Sequence, residues 1–185
     1  MRVLGGKYKG RSIQTGSSLF IRPLTNKLKE SIFDTLGDFF LGKEVLDLFA
    51  GSGSFGIEAY SRGAATVTFV ENSRQALVFL NKNLDNIGIP PACFQICKGD
   101  AIKFCQTESR SYDLIFTDPP FNFNSLQTLI DTIMHKTLLN KNGLVILHHE
   151  ISNPIALKGH SYELFKQKRF GRNITSYLIH EVNNA

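Results

Sequence analysis

The stretch Val45-Leu46-Asp47-Leu48-Phe49-Ala50-Gly51-Ser52-Gly53-Ser54-Phe55-Gly56 carries an apolar, β-branched run into a glycine-rich turn, and the turn into helical spacing from Phe55 to Arg62. A strand that turns on glycines into a helix is the opening unit of a parallel α/β sheet. Glycine is needed there because the turn demands torsions other residues resist and because a ligand approaches the backbone closely. Working outward, the alternation repeats. Thr66 to Val70, Cys93 to Cys97, Tyr112 to Thr117 and Leu144 to Leu147 read as further strands, and Arg74 to Ile87, Ala101 to Thr107 and Leu126 to Leu138 as helices between them. Five strands joined by helices predict a doubly wound, mostly parallel sheet, since parallel neighbours require crossover connections.

The two ends differ from this middle. Tyr162 to Phe170 and Ile174 to His180 flank the short turn Gly171-Arg172-Asn173 and predict an antiparallel C-terminal hairpin, which brings the sheet to seven strands with helices on both faces. Upstream, Lys27 to Leu41 sets Leu28, Ile32, Phe33, Leu36, Phe39 and Phe40 at helical spacing, with Gly42 placed to end that helix. A chain of 185 residues is long enough for one α/β domain and too short for two of ordinary size. The expected organisation is a basic N-terminal arm or hairpin over residues 1–26 and a single Rossmann-like domain over 27–185.

Charge is unevenly placed. Residues 1–29 hold seven cations (Arg2, Lys7, Lys9, Arg11, Arg22, Lys27 and Lys29) and no acid, so that a chain of net charge +5 has a body summing to −2. A basic arm on a near-neutral body suits a polyanionic partner such as RNA, although a merely solvated basic segment has the same composition. Cys93, Cys97 and Cys105 offer no pairing arithmetic and no zinc-ligand spacing, and read as free thiols of a reducing compartment. No apolar run reaches the ~20 residues a bilayer demands, nor does the N-terminus resemble a signal peptide. The expectation is a cytoplasmic protein, monomeric, without a metal or a membrane partner.

Three acids flank the glycine turn. Gly51, Gly53 and Gly56 satisfy G-x-G-x-x-G, and Glu71 closes the next strand 20 residues after Gly51, where an acid takes ribose hydroxyls. Dinucleotides and S-adenosylmethionine both fit that pattern. Asp47 separates them: a carboxylate at the end of the first strand repels a pyrophosphate and suits a ligand carrying an ammonium and a sulfonium. Asp100, after the third strand, is placed for an adenine amino group or for a helix cap.

The most specific motif is Asp118-Pro119-Pro120-Phe121, at the carboxyl end of the fourth strand, where open α/β sheets bind ligands. Each proline fixes its own φ and restricts the residue before it, and neither offers an N–H. The Asp118 side chain and Pro119 carbonyl form a rigid acceptor pair for the two hydrogens of an exocyclic amine, and Phe121 offers a face for a base to stack on. Other groups read as less specific. Adjacent His148 and His149 point to opposite faces of a strand, which argues against a shared metal; Glu150 follows at the strand end, bordering the target pocket. Lys166, Lys168, Arg169 and Arg172 in the terminal hairpin are either phosphate contacts or ordinary surface charge.

Taken together, Asp118 to Phe121 and Asp47 to Gly53 resemble the Rossmann-like amino-methyltransferases. With Arg2-Val3-Leu4-Gly5-Gly6-Lys7-Tyr8-Lys9-Gly10-Arg11, Arg22-Pro23 and Lys27-Leu28-Lys29-Glu30-Ser31-Ile32-Phe33, the chain resembles the bacterial small-subunit rRNA guanine-N2 methyltransferase D family over nearly its whole length. The resemblance implies S-adenosylmethionine as cofactor, with donor roles for Asp47, Gly51, Gly53, Glu71 and Asp100 and target-nitrogen roles for Asp118, Pro119, Pro120 and Phe121. It also implies guanine N2 in 16S rRNA, free or in the small subunit, as target. Arg2, Lys7, Lys9, Arg11, Arg22 and Lys27 are the expected RNA contacts. Two positions depart from the family pattern, Leu24 and Asn26, where a Thr and an acid are usual. The competing readings are an adenine-N6 methyltransferase, an NAD-dependent oxidoreductase and a non-catalytic RNA-binding module.

Overall fold

The computed structural model describes residues 1–16, 25–136, 138–157 and 161–180. Seven strands form one sheet: β1 (Glu44–Leu48), β2 (Thr66–Glu71), β3 (Phe94–Lys98), β4 (Tyr112–Thr117), β5 (Leu139–Glu150), β6 (Tyr162–Phe170) and β7 (Asn173–His180). Their order is β3-β2-β1-β4-β5-β7-β6, with β1 to β5 parallel and β7 antiparallel to both neighbours. The expected Rossmann-like sheet and its antiparallel hairpin are both present. Strand order reverses between β1 and β4, and the carboxyl ends of those two strands open the crevice in which such sheets hold ligands.

Among the described residues five α-helices cover the sheet: α1 (Asn26–Leu36), α2 (Ser54–Ser61), α3 (Arg74–Ile87), α4 (Ala101–Thr107) and α5 (Leu126–His135). Their apolar stripes split the core in two. One layer joins Ile32, Phe33, Phe55, Leu80 and Leu84 to Val45, Phe69 and Phe116, and the other joins Ala101, Leu129, Ile130 and Ile133 to Leu46, Ile115 and Val145. Among the described residues no helix is long and apolar enough to cross a membrane.

Some boundaries differ from the sequence reading, each for a local reason. The helix expected to run to Leu41 stops at Leu36, because Gly37 takes φ +52° and a 3-10 turn over Gly37–Phe40 follows. β3 starts at Phe94 rather than Cys93, since Pro90 and Pro91 set a 3-10 turn that ends on Cys93. The last helix ends at His135, and β5 begins at Leu139, five residues before the apolar run that marked it, with Asn142 in the left-handed region at φ 65°.

The arm folds back onto the body. Val3 N–H donates to Arg11 O at 2.9 Å and Gly10 N–H to Val3 O at 2.9 Å, a small hairpin whose Val3 and Ile13 are buried in the first core layer. Gly6 sits at φ +72° against α2, where a Cβ would lie 1.8 Å from Ser61 O, so that only glycine permits this approach. The anchor is Glu58 of α2. Its oxygens accept from Leu4 N–H and Gly5 N–H, both at 2.7 Å, and from Arg62 Nε at 3.0 Å, and pair with Lys29 Nζ of α1 at 3.1 Å. Lys29 is fully buried, its pKa lowered chiefly by desolvation and held up by Glu58. It therefore belongs to the core, which corrects its inclusion among cations available to RNA.

Removing one member of a buried charge pair strands the other without compensation. Glu58→Gln is expected to lower unfolding stability by about 3–5 kcal/mol in urea titration. Adding Lys29→Met to that variant should restore part of the loss, because the buried charge is then gone as well.

Candidate active site

The glycine turn between β1 and α2 is held by carboxylates from below and from the side. Phe49 opens it at φ 58°, an uncommon torsion for a bulky residue, and packs edge-on against Phe123 at 5.1 Å between centroids. Gly53 takes φ +79° as N-cap of α2, with space so tight that a Cβ would lie 2.4 Å from Leu80 Cδ1. Asp47 Oδ2 accepts from Gly56 N–H at 2.9 Å, and Glu71 accepts from Gly51 N–H through Oε2 and from Ser73 N–H through Oε1, both at 2.7 Å. Asn83, fully buried on α3, donates to Ser52 O and exchanges bonds with the Gln14 backbone.

Over this turn lies a cavity of about 850 Å³ that runs from the ends of β2 and β3, past β1 and β4, to the end of β5. Gly51, Glu71 and Asp100 line its first half, with Phe49, Val70, Ala76 and Ala101 as apolar walls. Asp100 Oδ1 caps α4 through Lys103 N–H at 2.9 Å, so the helix-cap role holds while the residue also faces the cavity. Asp118, Pro119, Pro120 and Phe121 line the second half. Phe121 is 51% exposed where it lines the cavity. The structure thus brings together seven of the nine sequence-predicted donor and target residues. Asp47 and Gly53 lie outside the lining: Asp47 is buried beneath the turn and acts on it through Gly56.

Burial pushes the Asp47 carboxyl up to about 8, with nearby Glu71 and Asp118 reinforcing the shift and the Gly56 N–H opposing it. The strand-end histidines are structural partners of the hairpin. His148 Nδ1 pairs with Thr175 Oγ1 at 3.1 Å, while His149 bonds Asn153 O at 2.9 Å and Ser176 Oγ at 3.1 Å. Asn153 in turn donates to Phe123 O at 3.2 Å and ties the loop after the tetrad to the end of β5. Asn72, Ser73, Phe123 and Asn153 in loops and Asn173 at the start of β7 line the cavity and escaped the sequence reading as site residues, since isolated loop and strand-end residues carry no spacing signal.

The basic residues distribute unevenly. Arg2, Lys7, Lys9, Arg11 and Lys27 are exposed, whereas Arg22 and the departure at Leu24 lie outside the described residues, and Asn26 begins α1. In the terminal hairpin, Lys168 Nζ donates to Ser31 Oγ at 3.1 Å and Thr35 Oγ1 at 2.7 Å, so this lysine braces β6 against α1.

Comparison with known proteins agrees with this layout. Residues 1–179 match the family model described as Conserved hypothetical protein 95. The Ribosomal RNA small subunit methyltransferase D of Haemophilus influenzae is 31% identical over 183 residues, covering 98% of this chain and 93% of that one. The solved structure of Escherichia coli yhhF superposes with a TM-score of 0.87 at 27% identity, covering 98% of both chains. SMU.776, described as a putative methyltransferase and solved as a complex with SAH, shares the fold at a TM-score of 0.69 and 17% identity, over 84% of this chain and 50% of its own. By its own sequence match over nearly its full length, the chain belongs to the Conserved hypothetical protein 95 family, that of the small-subunit rRNA methyltransferase D proteins.

Proposed function

We propose that the protein transfers a methyl group from S-adenosylmethionine to the exocyclic N2 amine of a guanine in 16S ribosomal RNA. The observation that carries this reading is one cavity at the strand-order reversal with a glycine turn gripped by Glu71 on one side and the Asp118-Pro119 acceptor pair on the other. The amide of Gly51 already answers Glu71, whose carboxylate lines the cavity, so this side of the turn meets an incoming ligand with negative charge. That disfavours a pyrophosphate, which needs such amides for itself, and so counts against the dinucleotide oxidoreductase. It suits a donor bearing an ammonium and a sulfonium. The relatives' names and the SAH complex of SMU.776 point the same way.

Glu71, with acceptor capacity left on both oxygens, would hold the ribose hydroxyls. Asp100 would take the adenine amino group, and Val70, Ala76 and Ala101 would sandwich the ring. The donor supplies an electrophilic methyl carbon on a positively charged sulfur. The chain has only to present a nucleophile in line, without generating a strong base. Asp118 and the Pro119 carbonyl accept the amine hydrogens, keep the nitrogen lone pair from delocalising into the base and aim it at the donor half. Phe121 stacks on the base, which must be splayed out of any helix to reach this depth. Positioning and fixed dipoles account for the acceleration.

Three outcomes test the assignment. Asp118→Ala should cut methyl transfer by at least about 10²–10³-fold, the size of effect seen when a preorganised polar group is removed, while calorimetry shows donor affinity within a few-fold of wild type. Near-normal turnover would remove the mechanistic core. Glu71→Ala should weaken donor binding by about 1–3 kcal/mol, and NADH should give no binding heat.

Asp47 gives a pH signature. Its folded pKa, about 8, stands above the unfolded value of about 3.9, so the native state holds the proton longer. This group's contribution to stability is fully present below about pH 4 and is lost as pH rises towards 8. Asp47→Asn, whose amide oxygen still accepts from Gly56 N–H, should flatten that decline in urea midpoints measured across the same range.

The arm is tested by charge reversal at Lys7, Lys9 and Arg11, which spares buried Val3 and Ile13. RNA affinity should fall, and the log-affinity versus log-salt slope should flatten by about two units if each side chain neutralises one phosphate of a single strand. Melting temperature and donor binding should hold.

A further inference from the structure

Four acids line the cavity: Glu71, Asp100, Asp118 and Glu150. The first two stand at the ends of β2 and β3, in the donor half, where Glu71 grips the glycine turn and Asp100 caps α4. Asp118 belongs to the amine-holding tetrad. Glu150 closes β5, the strand next to β4, and has no part in the function proposed above. The β4–β5 register pairs Phe116 with Ile146 and Thr117 with Leu147, so the strand end bearing His148 and Glu150 runs alongside the chain that continues into Asp118. Alternation puts His148 and Glu150 on the face of Ile146, the face whose core layer also holds Phe116. His148 is fastened to Thr175 of β7. The Glu150 carboxylate is half-buried, steadied by Ser152 Oγ, which donates to Oε2 at 3.2 Å.

The chemistry of the bases gives this second carboxylate a meaning. Adenine, cytosine and guanine all carry an exocyclic amine, so an acceptor pair alone takes any of them. What differs is the ring atom beside the amine-bearing carbon. In adenine the neighbour on the Watson–Crick edge is N1, an acceptor, and in cytosine it is N3, also an acceptor. In guanine it is N1–H, a donor. A carboxylate set next to the amine-holding pair satisfies guanine and faces a lone pair in the other two, a repulsive contact. We infer that Glu150 is the specificity-determining residue of the acceptor half and accepts guanine N1–H while Asp118 and the Pro119 carbonyl hold N2. This rests on the guanine-N2 reading above and explains why that amine, rather than adenine N6, would be chosen.

The test begins by mapping the methylated guanosine in 16S rRNA by mass spectrometry, with and without this gene. Small subunits are then reconstituted around ligated rRNA carrying guanine or 2-aminopurine at that position. 2-Aminopurine keeps the amine on C2 but replaces N1–H with a lone pair. A site built to hydrogen-bond a group can reject an analogue lacking it by about 10⁴-fold, and wild type should favour guanine by at least about 10³-fold in kcat/KM. Glu150→Gln can donate its amide N–H to the analogue's N1, and should bring the ratio to within about tenfold by gaining on 2-aminopurine as well as losing on guanine. Glu150→Ala should lose on guanine alone. Donor affinity should be common to all three proteins, which separates recognition from a folding defect. A guanine preference unchanged in Glu150→Gln overturns the inference and leaves the guanine-N2 reading standing. A wild-type enzyme that methylates adenine in place of guanine overturns both.

Discussion

The amides of the glycine turn meet carboxylates of the same chain, and the site is arranged around that constraint. Asp47 holds Gly56 N–H from within the sheet, and Glu71 holds Gly51 N–H from the neighbouring strand. A helix N-terminus ordinarily attracts an external anion; here two of the turn's amides are already taken by acids of the same chain. Both acids sit where parallel strands end, positions the crossover topology brings to one rim. The cost is a carboxyl buried with two like charges near it, and the raised pKa of Asp47 is the sign of that cost.

The same helix that the turn opens also receives the arm. Glu58 and Ser61 of α2 take the backbone N–H groups of Leu4, Gly5 and Tyr8, and Ser54, in the first turn of α2, accepts from the Lys29 ammonium that Glu58 neutralises. The basic arm and the donor turn are therefore mounted on one rigid element eight residues long. Cations grouped at the start of the sequence are carried on the folded body, at a fixed distance from the chemistry.

Legibility in the sequence followed how local each signal was. Glycine spacing marked the turn, and the tetrad marked itself, because prolines fix backbone torsions whatever surrounds them. Alternating strands and helices led to the sheet, and a short turn between two β-rich runs led to the hairpin. What escaped was set by distant partners. Nothing near Glu58 in sequence says that it will sit beneath residues 4 and 5, so Lys29 counted among the cations of the basic N-terminal stretch. Asp47 drew a direct ligand role because its place at the strand end was visible, whereas its bond to Gly56, nine residues on, depended on how the turn closes. Lys168 read as either a phosphate contact or surface charge for the same reason, since its partners Ser31 and Thr35 lie more than 130 residues away.

The two halves of the cavity also differ in how they came to be made. The donor half is built from β1, β2 and β3, each followed by a crossover helix, and its acids double as structural caps for the loops they begin. The acceptor half lies beyond the reversal, between β4 and a β5 that leads into the antiparallel hairpin. With β7 rather than another crossover as its neighbour, the end of β5 is not closed over by a helix start. Its terminal residues are held instead by side chains of β7, Thr175 and Ser176, and by the Asn153 bridge to the tetrad loop. A parallel sheet with a fifth crossover would cover that rim. The antiparallel hairpin leaves that rim open beside the proline-stiffened segment from Asp118 to Phe121.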